Sequence, residues 1–512
     1  MTVAAVSGMA PKSHSRGGGY GRKVDDHDLE NSQAMPGPHC PAVLKGVGVR
    51  KKRQGFLPGM TSAALAAIMT LGVPGISAAE TLLQALSSAY TNNPELNAAR
   101  AATRAVDEGV PQALSRYRPN VNASGSVQQT WTDSDIRNGP DMSTDMGSAT
   151  LGLNVTQNLF RGFRTANGTK QAEAAVLASR ASLQNAEQNI LFAAAEAFMN
   201  VLRDQALVDL RSQNVTFLRE QGRATRDRFE VGETTRTDVA QSDARVSLAA
   251  SQLNLAQATL NSSRAVYQQI IGNQPGNLTQ NFTADRLIPN TLDAALSVAL
   301  NDHPAILAAT YNADAASFNT KVIEGELLPT VTLEGDVTRT YNFDGATRQL
   351  DSASITGRIN IPIYQGGGVS SRVRQAKEVE GQRLLELDLA RQQVRASVIS
   401  AWGQLTASRA VIVAAEAQRN ASQIALSGVI EEQRVGQRTT LDVLNAQQEL
   451  QDARVNLVSA RRDQVVAAFA LASAVGKLNA QRLGLSSQIY QPEEHYEQVR
   501  DKWFGLRTPD GR

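Results

Sequence analysis

The strongest constraint on this chain is an internal repeat with a period of 204 residues. The segment 434–458, RVGQRTTLDVLNAQQELQDARVNLV, matches 230–254, EVGETTRTDVAQSDARVSLAASQLN. Val435 and Gly436 align with Val231 and Gly232, and Leu441-Asp442-Val443 with Thr237-Asp238-Val239, each pair 204 apart. Ile271-Gly272 matches Val475-Gly476, and Leu159-Phe160-Arg161-Gly162 matches Ile363-Tyr364-Gln365-Gly366, at the same offset. Further upstream the offset becomes 210: Asn93-Pro94 pairs with His303-Pro304, and Pro119 with Pro329. One connection between Pro119 and Phe160 is therefore six residues longer in the first copy. A period of this length sets the fold before any local propensity does. The chain reads as two structural repeats, 80–276 and 290–479, followed by a tail at 480–512.

What precedes the repeats is a leader. Residues 1–49 lack apolar periodicity and read as disordered, or as an over-extended start of the reading frame. Residues 50–79 read as a signal peptide: a basic VRKKRQG segment opens it, FLPGMTSAALAAIMTLGV forms a short apolar run, and Pro74-Gly75 breaks that run. Ser77-Ala78-Ala79 then supplies small residues at the positions a signal peptidase requires, so cleavage is expected between Ala79 and Glu80. A transmembrane anchor is the competing reading, but the run is only marginally long enough.

Removing this leader changes the chemistry of what remains. The single cysteine, Cys40, leaves with it, so the exported chain needs no disulfide or redox site. No cysteine stands at the cleavage point, which argues against an N-terminal lipid anchor. Of 51 Lys and Arg the leader holds nine, and of 49 Asp and Glu it holds four; 42 against 45 remain, a net of −3. Nothing in that balance suggests nucleic-acid binding. His14, His27 and His39 lie in the leader, and His303 and His495 are far apart, so no metal-ligand spacing exists. Gly366-Gly367-Gly368 is not followed by a phosphate-binding Lys-Ser/Thr and reads as a strand-to-helix corner. No carboxylate pair stands in a recognisable catalytic setting; no cofactor and no enzymatic activity are expected.

Each repeat opens with a helix and continues into two alternating runs. Leu82, Leu83, Leu86 and Tyr90 share one helical face, and Asn92-Asn93-Pro94 interrupts that helix. In the first copy, within a hairpin at 119–160, Val121, Ala123, Gly125, Val127 and Trp131 alternate with polar residues, as do Leu151, Leu153, Val155 and Leu159. In the second, at 329–365, Val331, Leu333, Val337 and Tyr341 form one run, and Ile355, Ile359, Ile361 and Ile363 the other. Each run is about 11 residues, the length of a tilted strand crossing a bilayer. Trp131, Tyr341, Phe343 and Tyr364 lie near strand ends, where interfacial aromatics belong. Four strands cannot close a barrel, and open sheet edges are not tolerated in lipid. If these runs are membrane strands, chains must combine: two would give eight strands, three would give twelve.

Long helices complete each copy. A proline-free periodic pattern runs from Gly162 to about Phe229, with Leu183, Ala186, Ile190, Ala194, Phe198 and Val201 at steps of three and four. Its counterpart runs from Gly368 to about Arg434, and shorter helices return over 233–271 and 437–475. At 1.5 Å per residue the long members are on the order of 100 Å, too long for one globule. Alanine-rich seams let such antiparallel pairs pack closely, as in coiled coils.

With these residues assembled, the chain resembles the TolC-like outer-membrane factor family. The resemblance spans roughly 80–505 and rests on the paired tips VGETTRTDV and VGQRTTLDVL and the corners NLFRG and IPIYQGG. The helix starts LQALSSAYTNNPEL and LDAALSVALNDHPAI also fit, as does the tail YEQVRDKWFGL at 496–506, which looks like the alphaproteobacterial branch. It implies a homotrimer, mainly α with transmembrane β-strands, in which a 12-stranded β-barrel continues into a 12-helix tunnel. It implies an outer-membrane export duct for type I secretion or multidrug efflux, carrying proteins or small toxic compounds. The implied partners are a periplasmic adaptor protein, an inner-membrane ABC or proton-driven transporter, and outer-membrane lipid. A trimeric coiled-coil spacer or adhesin is the alternative, and it would show parallel helices without returns.

The resemblance also places a periplasmic entrance at 434–446. Asp442 would supply one carboxylate per chain there, and three close carboxylates would favour cations and raise their own pKa values. Asn445 lies one turn further along, where many relatives carry a second acid. Arg438 matches an arginine linking neighbouring tips, Thr237 and Asp238 match its partner side, and Gln433 stands where some relatives have tyrosine. The plainer reading is that Asp442 and Asp238 cap or flank helix starts, as Thr440 and Thr237 could.

Overall fold

The computed structural model describes residues 80–512 apart from 141, 280–283, 344–346 and 486. The expected signal peptide, its cleavage after Ala79 and the 1–49 extension lie outside the described residues. Glu80 opens the described chain in a two-residue strand, Glu80–Thr81 (β1), that pairs in parallel with Leu278–Thr279 (β4) in the connection between the copies.

The first copy begins with Leu82–Asn92 (α1), whose start is fixed by reciprocal Thr81–Gln84 capping. Asn93 then accepts from the amides of Glu95 and Leu96 and, with Pro94 at the first helical position, starts Pro94–Asp107 (α2). Gly109–Leu114 (α3) leads to the hairpin Asn120–Ser134 (β2) and Met142–Arg161 (β3). Arg164–Glu230 (α4) and Arg236–Ile271 (α5) form the helical hairpin. The second copy repeats the order: Leu292–Asp302 (α6), Pro304–Glu324 (α7), Thr330–Asn342 (β5), Gln349–Asn360 (β6), Gly368–Arg434 (α8) and Thr440–Ala474 (α9). The tail adds Ala480–Leu483 (α10) and Pro492–Arg500 (α11). Each long helix is followed by a returning one, which removes the parallel-spacer alternative.

The four long strands form one antiparallel sheet in the order β2-β3-β5-β6. Its register sets Val121 opposite Val155, Leu153 opposite Val337 and Val331 opposite Ile359. All four strands meet the helices at one end of the sheet, and both hairpin turns lie at the other. Among the described residues no strand pairs with the outer edge of β2 or of β6. The strands have 15, 20, 13 and 12 residues, longer than the runs of about 11 read from alternation. Alternation registers only the part with one apolar face; Thr132 to Ser134 pair with Met142 to Thr144 as well, carrying the ladder past the apolar band. β6 ends at Asn360, so Ile361 and Ile363 fall outside it. Pro362 has no N–H to donate to the ladder and stops the strand.

Strand passes to helix through left-handed backbone, Gly162 and Phe163 in the first copy and Gly366 and Gly367 in the second. A Cβ on Gly162 would sit 2.3 Å from the Gly325 carbonyl oxygen, so only glycine fits there. The main core lies at the strand-proximal ends of α5 and α9, where α1, α4, α5, α8 and α9 converge on Phe198, Tyr267, Leu191 and Phe469, all fully buried. No residue of the four-stranded sheet belongs to this core; every residue of β2 and β6 is exposed.

Candidate functional site at the helical tips

The residues singled out by the sequence gather at the turns joining α4 to α5 and α8 to α9. Both turns are built alike. Gly436 adopts φ +80° and donates to the Gln433 carbonyl at 3.0 Å, while Gln437 donates to Glu432 at 2.9 Å. Gly232 takes the same φ, with Glu233 donating to Arg228 at 2.8 Å. Such a pair of bonds ends a helix by satisfying its last carbonyls, and the left-handed residue favours glycine.

The returning helices start with identical capping boxes. The Thr439 hydroxyl accepts from the Asp442 amide, and Asp442 Oδ2 accepts from the Thr439 amide at 2.9 Å and its hydroxyl at 2.8 Å. Thr235 and Asp238 make the same exchange, at 3.0 and 2.7 Å. The caps are therefore Thr439 and Thr235, not Thr440 and Thr237. Thr440 instead is buried and accepts from Gln433 Nε2 at 3.3 Å, and Thr237 is exposed. The spacing Thr-x-x-Asp before an apolar run carried this signal in both copies.

Electrostatically the tip is mixed rather than purely acidic. The Thr439 amide and hydroxyl, then the nearby Arg438 guanidinium, hold the Asp442 carboxyl below its usual range. This is opposite to the rise expected of crowded carboxylates; within one protomer Asp442 is a stabilised anion. Arg438 pairs with Glu432, Nε to Oε2 2.8 Å, and is itself held further above its ordinary value by Glu432 and Asp442. Among the described residues no hydrogen bond or ion pair joins Arg438 to Thr237 or Asp238 within the protomer. Arg434 pairs with Glu431 at 2.8 Å.

Just behind the turns the two hairpins are sewn together by contacts the sequence did not point to. Arg245 of α5 donates to Asn445 of α9 at 3.0 Å. Gln447 of α9 donates to Asn214 of α4 at 2.8 Å, with both side chains buried, and Gln451 donates to the Leu210 carbonyl at 2.9 Å. Leu444 is buried against Val215, Leu218 and Ala249. Polar residues on a long helix read as a solvated face, and only the 233- and 241-residue separations closed by folding reveal the partners.

Comparison with known proteins fits this geometry. The family model described as outer membrane efflux protein matches residues 85–273 and 295–477. The chain belongs to the outer membrane efflux protein family. It is 43% identical over 435 residues, 85% of this chain and 93% of the relative, to the outer membrane efflux protein BepC of Brucella suis biovar 1. It is 27% identical over 418 residues, 79% of this chain and 92% of the relative, to the outer membrane protein TolC of Vibrio cholerae serotype O1. The Campylobacter jejuni CmeC outer membrane channel superposes with a TM-score of 0.71 at 15% identity, covering 82% of this chain and 89% of that one. These likenesses bear out the fold class, an outer-membrane location and a transport role rather than an enzymatic one. The tail after residue 477 lies beyond the matched segments.

Proposed function

We propose that three copies of this efflux protein assemble into a closed duct whose tips form a periplasmic entrance. The observation that carries this reading is the pair of free edges on a sheet that has no core of its own. Left open in lipid, the backbone groups of β2 and β6 would be unsatisfied; joining the β6 edge of one copy to the β2 edge of the next removes every edge. Three copies of four strands make twelve, within the even-numbered series of outer-membrane barrels. The long α8 supports the same assembly. It exposes Leu384, Leu385, Ile399, Val411, Val413 and Ile424, apolar residues with no cover inside the protomer.

In this reading the tips of α8–α9 narrow the helical end, with Asp442 and Asn445 facing the constriction. Arg438 on one side, and Thr237 and Asp238 on the other, meet between neighbouring copies, and Gln433 braces Thr440 behind them. A periplasmic adaptor docks on the tips, and an inner-membrane transporter supplies substrate and energy. The cargo is a protein, as in type I secretion, or a small toxic compound, as in multidrug efflux, and a substrate screen separates the two.

Single-channel conductance of the purified protein in a planar bilayer tests this. Wild type should give small cation-selective steps that a trivalent cation blocks from the tip side, and Asp442→Ala should abolish the block. Unaltered block in Asp442→Ala would remove Asp442 from the entrance. No conductance from inserted, folded protein, even with the tips loosened by Arg438→Ser, would refute the duct.

A further inference from the structure

The C-terminal tail is the largest part of the described chain that the duct does not use. From Tyr490 onward it climbs the protomer toward the sheet, and each step is marked by a contact. The Tyr490 amide donates to the Tyr90 hydroxyl of α1 at 3.0 Å. His495 Nδ1 meets Asp107 Oδ2, at the end of α2, at 2.9 Å. Arg118, beyond α3, donates to the Lys502 carbonyl at 2.7 Å, and its guanidinium lies 4.6 Å from the centroid of the Trp503 ring. The tail thus passes beside the residue that leads into β2. Arg118 precedes Asn120 by two residues, about 7 Å of extended chain.

At that level the tail turns its apolar side chains outward. Trp503 is 67% exposed, Phe504 90% and Leu506 103%. Three large apolar side chains in four residues, held out from a pinned backbone, cost hydration free energy unless something covers them. Lys502 and Arg507 flank them, Arg118 lies against the Trp503 ring, and Asp501 is the one carboxylate in 501–507. Aromatic rings interleaved with cations are the composition that settles at the headgroup level, where the ring is half-apolar and the cation meets phosphate. A headgroup layer is about 5–8 Å thick, which matches the offset of Arg118 from the strand.

We propose that residues 502–507 form an interfacial anchor that inserts Trp503, Phe504 and Leu506 into the lipid leaflet around the helix-side end of the sheet. Arg118 is the clamp that holds it at that depth. The inference rests on the reading that β2 crosses the outer membrane, and the test separates the two. The exported chain carries no cysteine of its own once Cys40 leaves with the leader, so an environment-sensitive fluorophore is placed at Phe504→Cys, or at Val127→Cys on β2 as a control. Each protein is reconstituted into vesicles of phosphatidylethanolamine and phosphatidylglycerol carrying nitroxide on the headgroup or deep in the acyl chain. The anchor predicts blue-shifted emission at 504, quenched more by headgroup nitroxide, and quenching at 127 by the deep one. Arg118→Ala should reduce quenching at 504 and leave 127 unchanged. A water-like, unquenched label at 504 beside a quenched label at 127 would overturn the anchor alone. A blue-shifted label at 504 that neither nitroxide reaches would mean burial against a second copy of the chain, which also overturns it. Absence of quenching at 127 would overturn the membrane reading of the sheet, and the anchor with it.

Discussion

The buried bond between Gln447 and Asn214 gives the sharpest test of how the α8–α9 hairpin is held against α4. Gln447→Leu removes the donor at nearly constant volume. Asn214, 3% exposed, then keeps its amide oxygen in a dry seam with nothing to bond. An unsatisfied buried polar group costs about 1–3 kcal/mol, whereas replacing both partners with apolar groups is close to neutral. Gln447→Leu and Asn214→Leu should therefore each destabilise by about 1–3 kcal/mol, and the double substitution by less than either. Urea unfolding of the purified protein in detergent, followed by circular dichroism, reads this cycle directly. If channel opening draws α9 away from α4, the same 1–3 kcal/mol raises the open population by about 5–150-fold. The double variant should return it toward wild type in bilayer recordings. Additive losses, or single variants within about 0.5 kcal/mol of wild type, would refute the claim that this bond holds the seam.

Other consequences can be checked with single substitutions. Phe198→Ala empties a fully buried site in the main core and should cost about 3–5 kcal/mol in thermal or denaturant unfolding. Thr439→Ala should cost about 0.5–2 kcal/mol by removing the cap of α9, whereas Thr237→Ala, which caps nothing, should leave thermal stability unchanged. Burial pushes the Asp107 carboxyl up from its ordinary value, against the opposing pull of His495. A carboxyl raised in the folded state favours folding fully below its unfolded pKa, and that contribution is lost as pH rises through the folded value. Asp107→Asn should accordingly gain melting temperature over wild type at neutral pH, and the gain should vanish as pH falls below the ordinary carboxylate range.

Much of the architecture was legible because it is periodic. A 204-residue offset, two hydrophobic periods and the left-handed glycines at the tips each report on backbone geometry, and the same residues carry them in both copies. The strands were read too short because alternation tracks the apolar band and not the ladder: Thr132 to Ser134 pair with Met142 to Thr144 beyond the last alternating residue, Trp131. The assignment of Thr440 and Thr237 as caps failed on neighbouring threonines that composition cannot separate, although the three-residue step to Asp442 and Asp238 selects Thr439 and Thr235. Asn214, Arg245, Gln447 and Gln451 stayed hidden for a deeper reason. A glutamine on the 35-residue α9 reads as solvated until another helix, more than 200 residues away, is laid against it.

The distribution of buried apolar surface decides which end of the protomer can move. Around Phe198 and Tyr267 a continuous core draws on α1, α2 and α4 through α10, and any sliding there would expose several large side chains at once. Behind the tips the corresponding clusters are small: Leu444 sits against Val215, Leu218 and Ala249, and Val443 against Leu426 and Leu450. Drawing Leu444 out of its contact exposes one leucine, about 1.5–3 kcal/mol, plus the neutral hydrogen bonds of Gln447 and Gln451. With two net hydrogen bonds at about 0.5–1.5 kcal/mol each the sum is about 2.5–6 kcal/mol, and its lower end lies within a typical coupling free energy of about 1–3 kcal/mol between binding sites. The same displacement at the level of Phe198 would cost several times more. Local opening follows sparse apolar contacts and polar seams, so opening of the proposed entrance is expected to stay at the tips, with the core around Phe198 and Tyr267 as its fixed frame.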